Sequence, residues 1–340
     1  MTNADRAPTD LIDDIEAACR RATRWVLAQQ RSSGVIGDPA LGFKYYRGPW
    51  ALALMGEIGP ALALCDWIRE NLLREGRLDG DLRILQDGWA YRDSVLIVGS
   101  QMLGQYDLSH GLVESLCFWQ DPISGGFAND ATPEGQGSDE MDIPYAAGPG
   151  LALLATGRLA EARRVADFLG AMYTAQSAMP DRFYCFWSRE AQRPIIESDP
   201  SFEQRFVVDQ RADRMQRWTI GGIAAGFLGR LYLADPQPGY LDLARKYQAF
   251  SMDATDAQFK YPSVCKSSWG ASLLYQITGE DEYLDWLLRM GQWYLETQDE
   301  GGWWHPWVER TTADVIEITL EFIMHLRVLR GAMAPGLRKL

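Results

Sequence analysis

The stretch QDPISGGF, residues 120–127, decides the fold: a glutamine ends a helical segment and a Gly-Gly-aromatic turn follows it. A second copy, QDEGGW, occupies residues 298–303, and QRSSG at 30–34 is a weaker third. Recurrence of one device at the ends of separate helices is the mark of an internal structural repeat. The chain is therefore expected to be built from repeated helical units.

Two kinds of predicted helix alternate along the chain. Amphipathic helices with a charged face are predicted over 10–30, 60–75, 109–119, 158–175, 239–252 and 281–297. Helices without a charged face are predicted over 46–57, 89–104, 142–156, 217–233, 261–278 and 312–330. A helix that is apolar all round is buried on all sides. The pattern predicts an all-α fold, an (α/α)6 toroid of six inner and six outer helices. One domain is expected over residues 1–340, with an ordered core of about 10–330.

The connections between these helices are asymmetric. Each turn from an inner to an outer helix is short, and a left-handed glycine C-cap is expected in four of them, at Gly56, Gly104, Gly157 and Gly279. The connections from outer to inner helices, such as 120–141 and 176–213, are long and rich in Gly, Pro and Asp. The long loops thus crowd one rim of the ring, where functional residues tend to lie.

Charge and cysteine content limit the partners. The net charge of -13 argues against nucleic acid or an anionic membrane surface as the main partner. Five widely spaced cysteines without C-x-x-C predict neither a disulfide framework nor a zinc knuckle. The acidic N-terminus is no signal peptide, and no apolar run approaches the roughly 18 residues of a membrane span. We expect a cytoplasmic protein without integral membrane association, and a homo-oligomer is one alternative for its assembly.

Six hairpins joined by Gln-Gly-aromatic turns resemble the α/α toroids of the terpenoid cyclase and protein prenyltransferase superfamily, where such turns are called QW motifs. The resemblance covers about 10–330 and implies a hydrophobic substrate in the lumen of the ring. In the squalene–hopene type, the central aspartate of D-x-D-D protonates the substrate. No D-x-D-D occurs here, and the nearest stretch is Ser138–Asp142.

The prenyltransferase β-subunit type binds zinc through D-x-C on one inner helix and a histidine on the next. CKSSW at 265–269 resembles the surroundings of that cysteine, but the aspartate position is Ser263. Where that family has D-x-x-H, this chain reads Asp314-Val-Ile-Glu317. Loss of one ligand and exchange of another predict that no metal is bound, and no cofactor is expected. Cys265 is then interpreted as a small buried residue at the lumen.

The first turns of the inner helices converge at one end of the lumen. Four carboxylates there are the catalytic candidates: Asp142, Glu317, Asp93 and Asp314. The candidate substrate-binding residues are Tyr46, Tyr91, Arg92, Tyr145, Arg217, Trp218, Cys265, Trp269, Trp304 and His305. Lys44, Arg47 and Lys266 fall in the same region, whereas His325 is interpreted as structural.

Carboxylates that share an apolar cavity have raised pKa values, because desolvation and like charge both oppose ionisation. At least one of Asp142, Glu317 and Asp93 is therefore predicted to titrate above the usual carboxyl range and to serve as a general acid. Three of the four candidate acids also have a structural interpretation. Asp142 precedes Ile143-Pro144 and is a good N-cap, while Asp93 and Asp314 could stabilise helix N-termini.

Three functional interpretations are open. The first is a metal-independent acid/base enzyme, an isomerase, cyclase or hydro-lyase, that acts on a hydrophobic isoprenoid- or polyketide-like molecule. The second is a carbohydrate-active hydrolase or lyase, favoured by the 13 tryptophans and the aromatic stretch 303–307. The third is a non-catalytic toroid that binds a ligand or a partner protein. A closed apolar lumen would favour the first, an open groove the second and a filled lumen the third.

Overall fold

A computed structural model describes residues 8–78, 89–129, 138–196, 207–306 and 311–334. Its twelve α-helices within these ranges are α1 (Pro8–Ala28), α2 (Gly48–Met55), α3 (Ile58–Asn71), α4 (Trp89–Met102), α5 (Tyr106–Trp119), α6 (Pro144–Ala155), α7 (Leu159–Thr174), α8 (Thr219–Ala234), α9 (Pro238–Met252), α10 (Cys265–Thr278), α11 (Asp281–Thr297) and α12 (Thr312–Met333). Short 3₁₀ turns cover Pro39–Leu41, Asp256–Lys260 and Pro262–Val264. All twelve predicted helices are present, with ends shifted by a few residues.

The even-numbered helices form a closed inner ring. Each of them contacts the next in chain order, and α12 returns to contact α2. The odd-numbered helices pack outside, and α1 contacts both α11 and α12 at the point where the ring closes. The predicted (α/α)6 toroid is confirmed. So are the four left-handed glycine C-caps, whose φ values lie between 70° and 79°.

The glutamine of each repeated turn acts as a clamp. The Gln120 side-chain amide donates to the Gly125 carbonyl of its own turn and to the Glu161 carbonyl of the next outer helix, both at 2.9 Å. Gln298 in the same way joins its turn to the Ala18 carbonyl of α1. The weaker third copy, after α1, makes the same pair of bonds. Because Gln298 links the last outer helix to the first, the repeat also closes the outer ring.

The described parts of the connections contain seven short strands: β1 (Leu73–Arg74), β2 (Arg77–Leu78), β3 (Glu140–Asp142), β4 (Arg182–Tyr184), β5 (Phe186–Ser188), β6 (Arg193–Pro194) and β7 (Val207–Asp209). They pair antiparallel as β1–β2, β3–β5–β6 and β4–β7. All of them leave the helical alternation intact. Asp142 ends β3 opposite Phe186, directly before α6, so this sheet positions one of the candidate acids.

Two inner helices approach each other closely at glycines. A Cβ at Gly222 of α8 would overlap the backbone of Lys266 in α10, and one at Gly270 would lie 2.9 Å from the Gly222 carbonyl oxygen. Glycine is therefore required here for the packing of α8 on α10. Among the described residues, no helix is both long and apolar enough to cross a membrane.

Gly222→Ala is expected to lower the free energy of unfolding by about 1–3 kcal/mol. The added methyl group would overlap the backbone of Lys266, which no rotamer change can move away. Gly331 of α12 is the matched control. It is exposed and helical, and a Cβ there would meet no atom within 4 Å. Gly331→Ala should stabilise the protein by about 0.5–1 kcal/mol. Urea denaturation of both variants checks the prediction, and equal effects would contradict it.

Candidate active site

The lumen face of α12 carries a row of titratable side chains. Asp314, Glu317, Glu321 and His325 are spaced by three, four and four residues, so they share one face of the helix. The exposed fraction of the side chain falls from 20% at Glu317 to 8% at Glu321 and 1% at His325. The row therefore runs from the mouth of the ring into its interior.

A single guanidinium group holds two members of this row. Arg47, just before α2, places Nη1 2.6 Å from Glu317 Oε1 and Nη2 3.0 Å from Glu321 Oε2. The Tyr46 hydroxyl donates to the same Glu317 oxygen at 3.0 Å. Because the guanidinium is planar and rigid, this fork fixes the two carboxylates relative to each other.

Lys266 connects the row to the opposite wall of the ring. Its ammonium group bonds Glu321 and donates to the Tyr91 hydroxyl, and it lies 3.3 Å from His325 Nε2. Tyr91 belongs to α4 and Lys266 to α10, which stand opposite each other among the six inner helices. The bond between them therefore crosses the lumen. We call Arg47, Tyr91, Lys266, Glu317, Glu321 and His325 the lumen cluster.

The charges of the lumen cluster are balanced. Burial opposes ionisation of Glu321, but Arg47 and Lys266 more than offset it and hold the pKa of this carboxyl well below its usual range. Burial and the nearby Lys266 charge lower the pKa of His325 to about 4. At neutral pH, the cluster thus holds two cations, two carboxylates and an uncharged imidazole. A third positive charge beside Arg47 and Lys266 is avoided.

Asp142 is completely buried, and both of its carboxylate oxygens are engaged. Oδ1 accepts from the Tyr145 backbone N–H at 2.8 Å, at the start of α6, and Oδ2 lies 2.8 Å from Arg217 Nη1. Burial raises the pKa of Asp142, against the Arg217 charge. The direction agrees with the prediction, but the neighbour is a cation rather than a second carboxylate. Arg217 also stacks over the Phe186 ring at 4.6 Å.

The other two candidate acids have local partners. Asp93 is paired with Arg92, whose Nε donates at 2.9 Å, and burial raises the pKa of Asp93. Asp314 forms a capping box with Thr311 at the start of α12. Lys44 lies 3.9 Å from Asp314 and 3.4 Å from Glu317, so it links the cap to the mouth of the lumen.

The predicted aromatic residues divide between the lumen and the core. Trp269 lies in the lumen, with Trp50 5.6 Å and His325 5.2 Å from its ring centre. Trp218 is buried at the start of α8. Trp304 is fully buried, donates to the Tyr294 carbonyl of the outer helix α11 and packs on Phe322. The structure thus places Trp304 in the wall of the ring, outside the lumen cluster.

His305 also lies outside the lumen cluster. It is exposed, accepts from Trp303 Nε1 at 3.2 Å and lies 3.2 Å from Asp299, so its contacts are within the repeated turn. The Trp303 ring packs at a tilt against Trp25 of α1. Trp307, the last residue of the predicted aromatic rim, lies outside the described residues.

Glu321 and His325 are the site residues that sequence reasoning missed. The signal was present, because their three–four–four spacing with Asp314 and Glu317 puts four titratable groups on one face of a helix expected to be buried. A buried charge needs a partner, so such a row predicts facing cations. Arg47 and Lys266, both near the start of an inner helix, supply them.

No family model and no curated protein sequence matches this chain. Solved structures with the same fold include D-mannose isomerase, at 13% identity and a TM-score of 0.66, covering 95% of this chain and 98% of that one. A family 76 glycoside hydrolase, an α-mannanase of Bacteroides thetaiotaomicron, has 10% identity and a TM-score of 0.63, with 95% and 97% coverage. Dfg5 of Chaetomium thermophilum, in complex with glucosamine, has 9% identity and a TM-score of 0.62, with 97% and 92% coverage.

At these identities, the likeness establishes the toroid fold. The (α/α)6 toroid predicted from the helical pattern is confirmed, whereas these structures do not show the terpenoid cyclase superfamily in particular. The predicted isoprenoid- or polyketide-like substrate is wrong. Proteins that share this fold over nearly their whole length include enzymes named for mannose and mannan, and one solved with glucosamine. The structure gives a physical reason, because paired charges rather than apolar groups cross the lumen at the level of Lys266.

Proposed function

We propose that this protein is a carbohydrate-active enzyme that isomerises or epimerises a reducing sugar by proton transfer at the mouth side of the lumen cluster. The observation that carries the proposal is the Glu317–Arg47–Glu321–Lys266–Tyr91 chain of charged and hydroxyl groups across the lumen. Such fixed donors and acceptors suit a polyhydroxylated ligand, and removal of a proton next to a carbonyl requires a base together with a stabilised oxyanion.

Glu317 is the proton acceptor in this proposal. Its side chain is the most exposed carboxylate of the lumen cluster, so a sugar at the mouth can reach it. Tyr46 and Arg47 both bond Oε1, whereas Oε2 lies 3.4 Å from Lys44 at the mouth. A carboxylate oriented in this way can take the proton from C2 of an aldose and return it to C1.

Tyr91 and Lys266 stabilise the oxygen of the substrate carbonyl. The Tyr91 hydroxyl accepts from the Lys266 ammonium group, so its own proton is available to a ligand oxygen. As the C2 proton passes to Glu317, negative charge develops on O1 and gives an enediolate. When Glu317 returns that proton to C1, the O2 hydroxyl proton passes to O1 and the carbonyl forms at C2. The Tyr91 donor and the Lys266 charge behind it offset that charge in a water-poor site. His325 remains uncharged and keeps the cluster balanced.

Glycoside hydrolysis is the second candidate, and one observation favours it. Burial raises the pKa of Asp142, which a general acid of a glycosidase requires. Against it, both Asp142 oxygens are engaged by Tyr145 and Arg217. Glu321 is paired with Arg47 and Lys266, which hold the pKa of its carboxyl well below the usual range and so favour a carboxylate over a protonated acid.

The proposed reaction predicts exchange of a sugar proton with solvent. Aldoses and ketoses, with mannose, glucose, fructose and glucosamine first, are incubated with the protein in D2O and followed by proton NMR. The expected result is loss of the C2 proton signal of one aldose, together with appearance of its ketose or epimer. Hydrolysis of a mannan oligosaccharide without such exchange would instead support the second candidate. If no sugar in the panel undergoes either reaction, the proposal of a carbohydrate-active enzyme of this kind is contradicted.

A further inference from the structure

Three different ligand types meet at the buried end of the lumen cluster, where Cys265 lies beside two of its members. Cys265 Sγ, a carboxylate oxygen of Glu321 and a ring nitrogen of His325 all lie within 4.8 Å of one another, and all three residues are buried. Cys, His and Glu are the residues that bind Zn²⁺ in proteins. Ligand atoms about 2.0–2.3 Å from a tetrahedral metal are roughly 3.5 Å apart, so small rotamer changes would bring these three into range.

The histidine of this group is not the one that the prenyltransferase pattern predicts. Position 317, where a histidine was sought, is Glu317, and the imidazole that approaches Cys265 comes from His325, two turns further along α12. The absent D-x-x-H motif therefore does not mean that the cysteine lacks a histidine neighbour.

A cation already occupies this group. The ammonium group of Lys266, the residue next to Cys265, bonds Glu321 Oε1 and lies 3.3 Å from His325 Nε2. It contacts two of the three ligand side chains, so a metal ion and the ammonium group could not be held there together. The Lys266 side chain is only 4% exposed and donates also to Tyr91, which keeps it in place.

Either the Lys266 ammonium group or a divalent metal ion can balance the negative charge of the three ligand side chains. The Lys266 cation balances the Glu321 carboxylate beside an uncharged thiol. Zn²⁺ bound by a thiolate and a carboxylate would also be neutral, with the thiol proton released to solvent. Without the Lys266 ammonium group, the Glu321 carboxylate keeps Arg47 as a cationic partner, which it shares with Glu317. This favours entry of another cation.

We propose that Cys265, Glu321 and His325 form a site for a soft divalent cation, and that Lys266 fills its cation position and excludes the metal. The wild-type protein is then metal-free because its own side chain competes for the ligands. The site has three protein ligands and would leave a fourth position open for water. This inference concerns metal binding, so its test does not depend on the sugar reaction.

The test compares wild type, Lys266→Ala and the double variant Lys266→Ala/Cys265→Ser, each stripped with chelator and kept reduced. Co²⁺ is titrated while the near-ultraviolet thiolate-to-cobalt band is recorded, and melting is followed with and without Zn²⁺. We expect about one Co²⁺ per chain in Lys266→Ala, and a rise in melting temperature with excess Zn²⁺ of about 5 °C or more. Wild type and the exposed-lysine control Lys260→Ala should show neither effect.

The double variant should lose the thiolate band and most of the Zn²⁺ stabilisation. If Lys266→Ala does not fold alone, folding induced by Zn²⁺ is the expected outcome, since binding to the three ligands then contributes to folding. A Lys266→Ala protein that neither binds Co²⁺ when folded nor folds with Zn²⁺ would overturn the proposal. So would a wild-type protein that binds Co²⁺ through Cys265 as tightly as the variant does.

Discussion

Glu317→Gln is expected to lower turnover of the sugar substrate by about 10²–10⁴-fold, the usual contribution of a positioned base. Glutamine keeps an oxygen that can accept from Tyr46 and Arg47, so the side chain should stay in place. It cannot accept the C2 proton. The loss is therefore expected in kcat, with a smaller change in KM, and solvent deuterium exchange should fall in parallel.

Asp142→Asn is the comparison that separates the two candidate reactions. Asparagine caps a helix about as well as aspartate, so the bond to the Tyr145 N–H should persist. Proton transfer through Glu317 predicts that this variant keeps most of its activity. A glycosidase with Asp142 as its acid predicts the opposite, a large loss in Asp142→Asn. An active Glu317→Gln enzyme that still exchanges deuterium would remove Glu317 from the mechanism.

The architecture was readable from the sequence because burial leaves a periodic trace. A helix such as α7, with charges on one side, covers a core, whereas α8 has almost none and must be enclosed. The glutamine of each repeated turn could also be recognised in the sequence, whereas its second hydrogen bond could not. That bond reaches the next outer helix, as Gln120 reaches Glu161, and depends on the folded ring.

The site was less readable because side-chain roles depend on neighbours from distant elements. Asp314 and Glu317 share one face of α12, yet Asp314 caps its own helix while Glu317 bonds Arg47, 270 residues away in sequence. From the sequence, His325 is interpreted as structural because it falls within a predicted helix. Only the packing of α12 on α10, the preceding inner helix, brings it beside Lys266.

Glu321→Gln is expected to lower the free energy of unfolding by about 3–5 kcal/mol, the usual cost of removing one partner from a buried ion pair. Glu321 is the common partner of Arg47 and Lys266, and all three side chains are at least nine-tenths buried. A glutamine oxygen can still accept from Lys266, but its NH₂ group would then face the Arg47 guanidinium. Two buried cations would be left with Glu317 as the remaining carboxylate of the cluster.

The pH dependence of this loss follows from the depressed pKa of Glu321. A carboxyl whose folded-state pKa lies below its unfolded value of 4.5 stabilises the protein above that value, and the contribution declines as pH falls towards the folded-state pKa. The difference between wild type and Glu321→Gln should therefore be constant from pH 8 to about 5 and shrink in more acidic solution. Urea denaturation across this range provides the measurement.

Asp213→Asn is the matched control for charge removal. Asp213 bonds Lys260 at 2.6 Å, but both side chains are about 60% exposed, so solvent screens the pair. Its loss should cost about 1 kcal/mol or less. If Glu321→Gln were no more costly than this, the Glu321 pair would be as weak as a surface one. The burial that makes Glu321 costly to remove also strengthens the interaction of Lys266 with a substrate oxyanion. A weak Glu321 pair would therefore mean that the dehydrated charges required by the proposed proton transfer are absent.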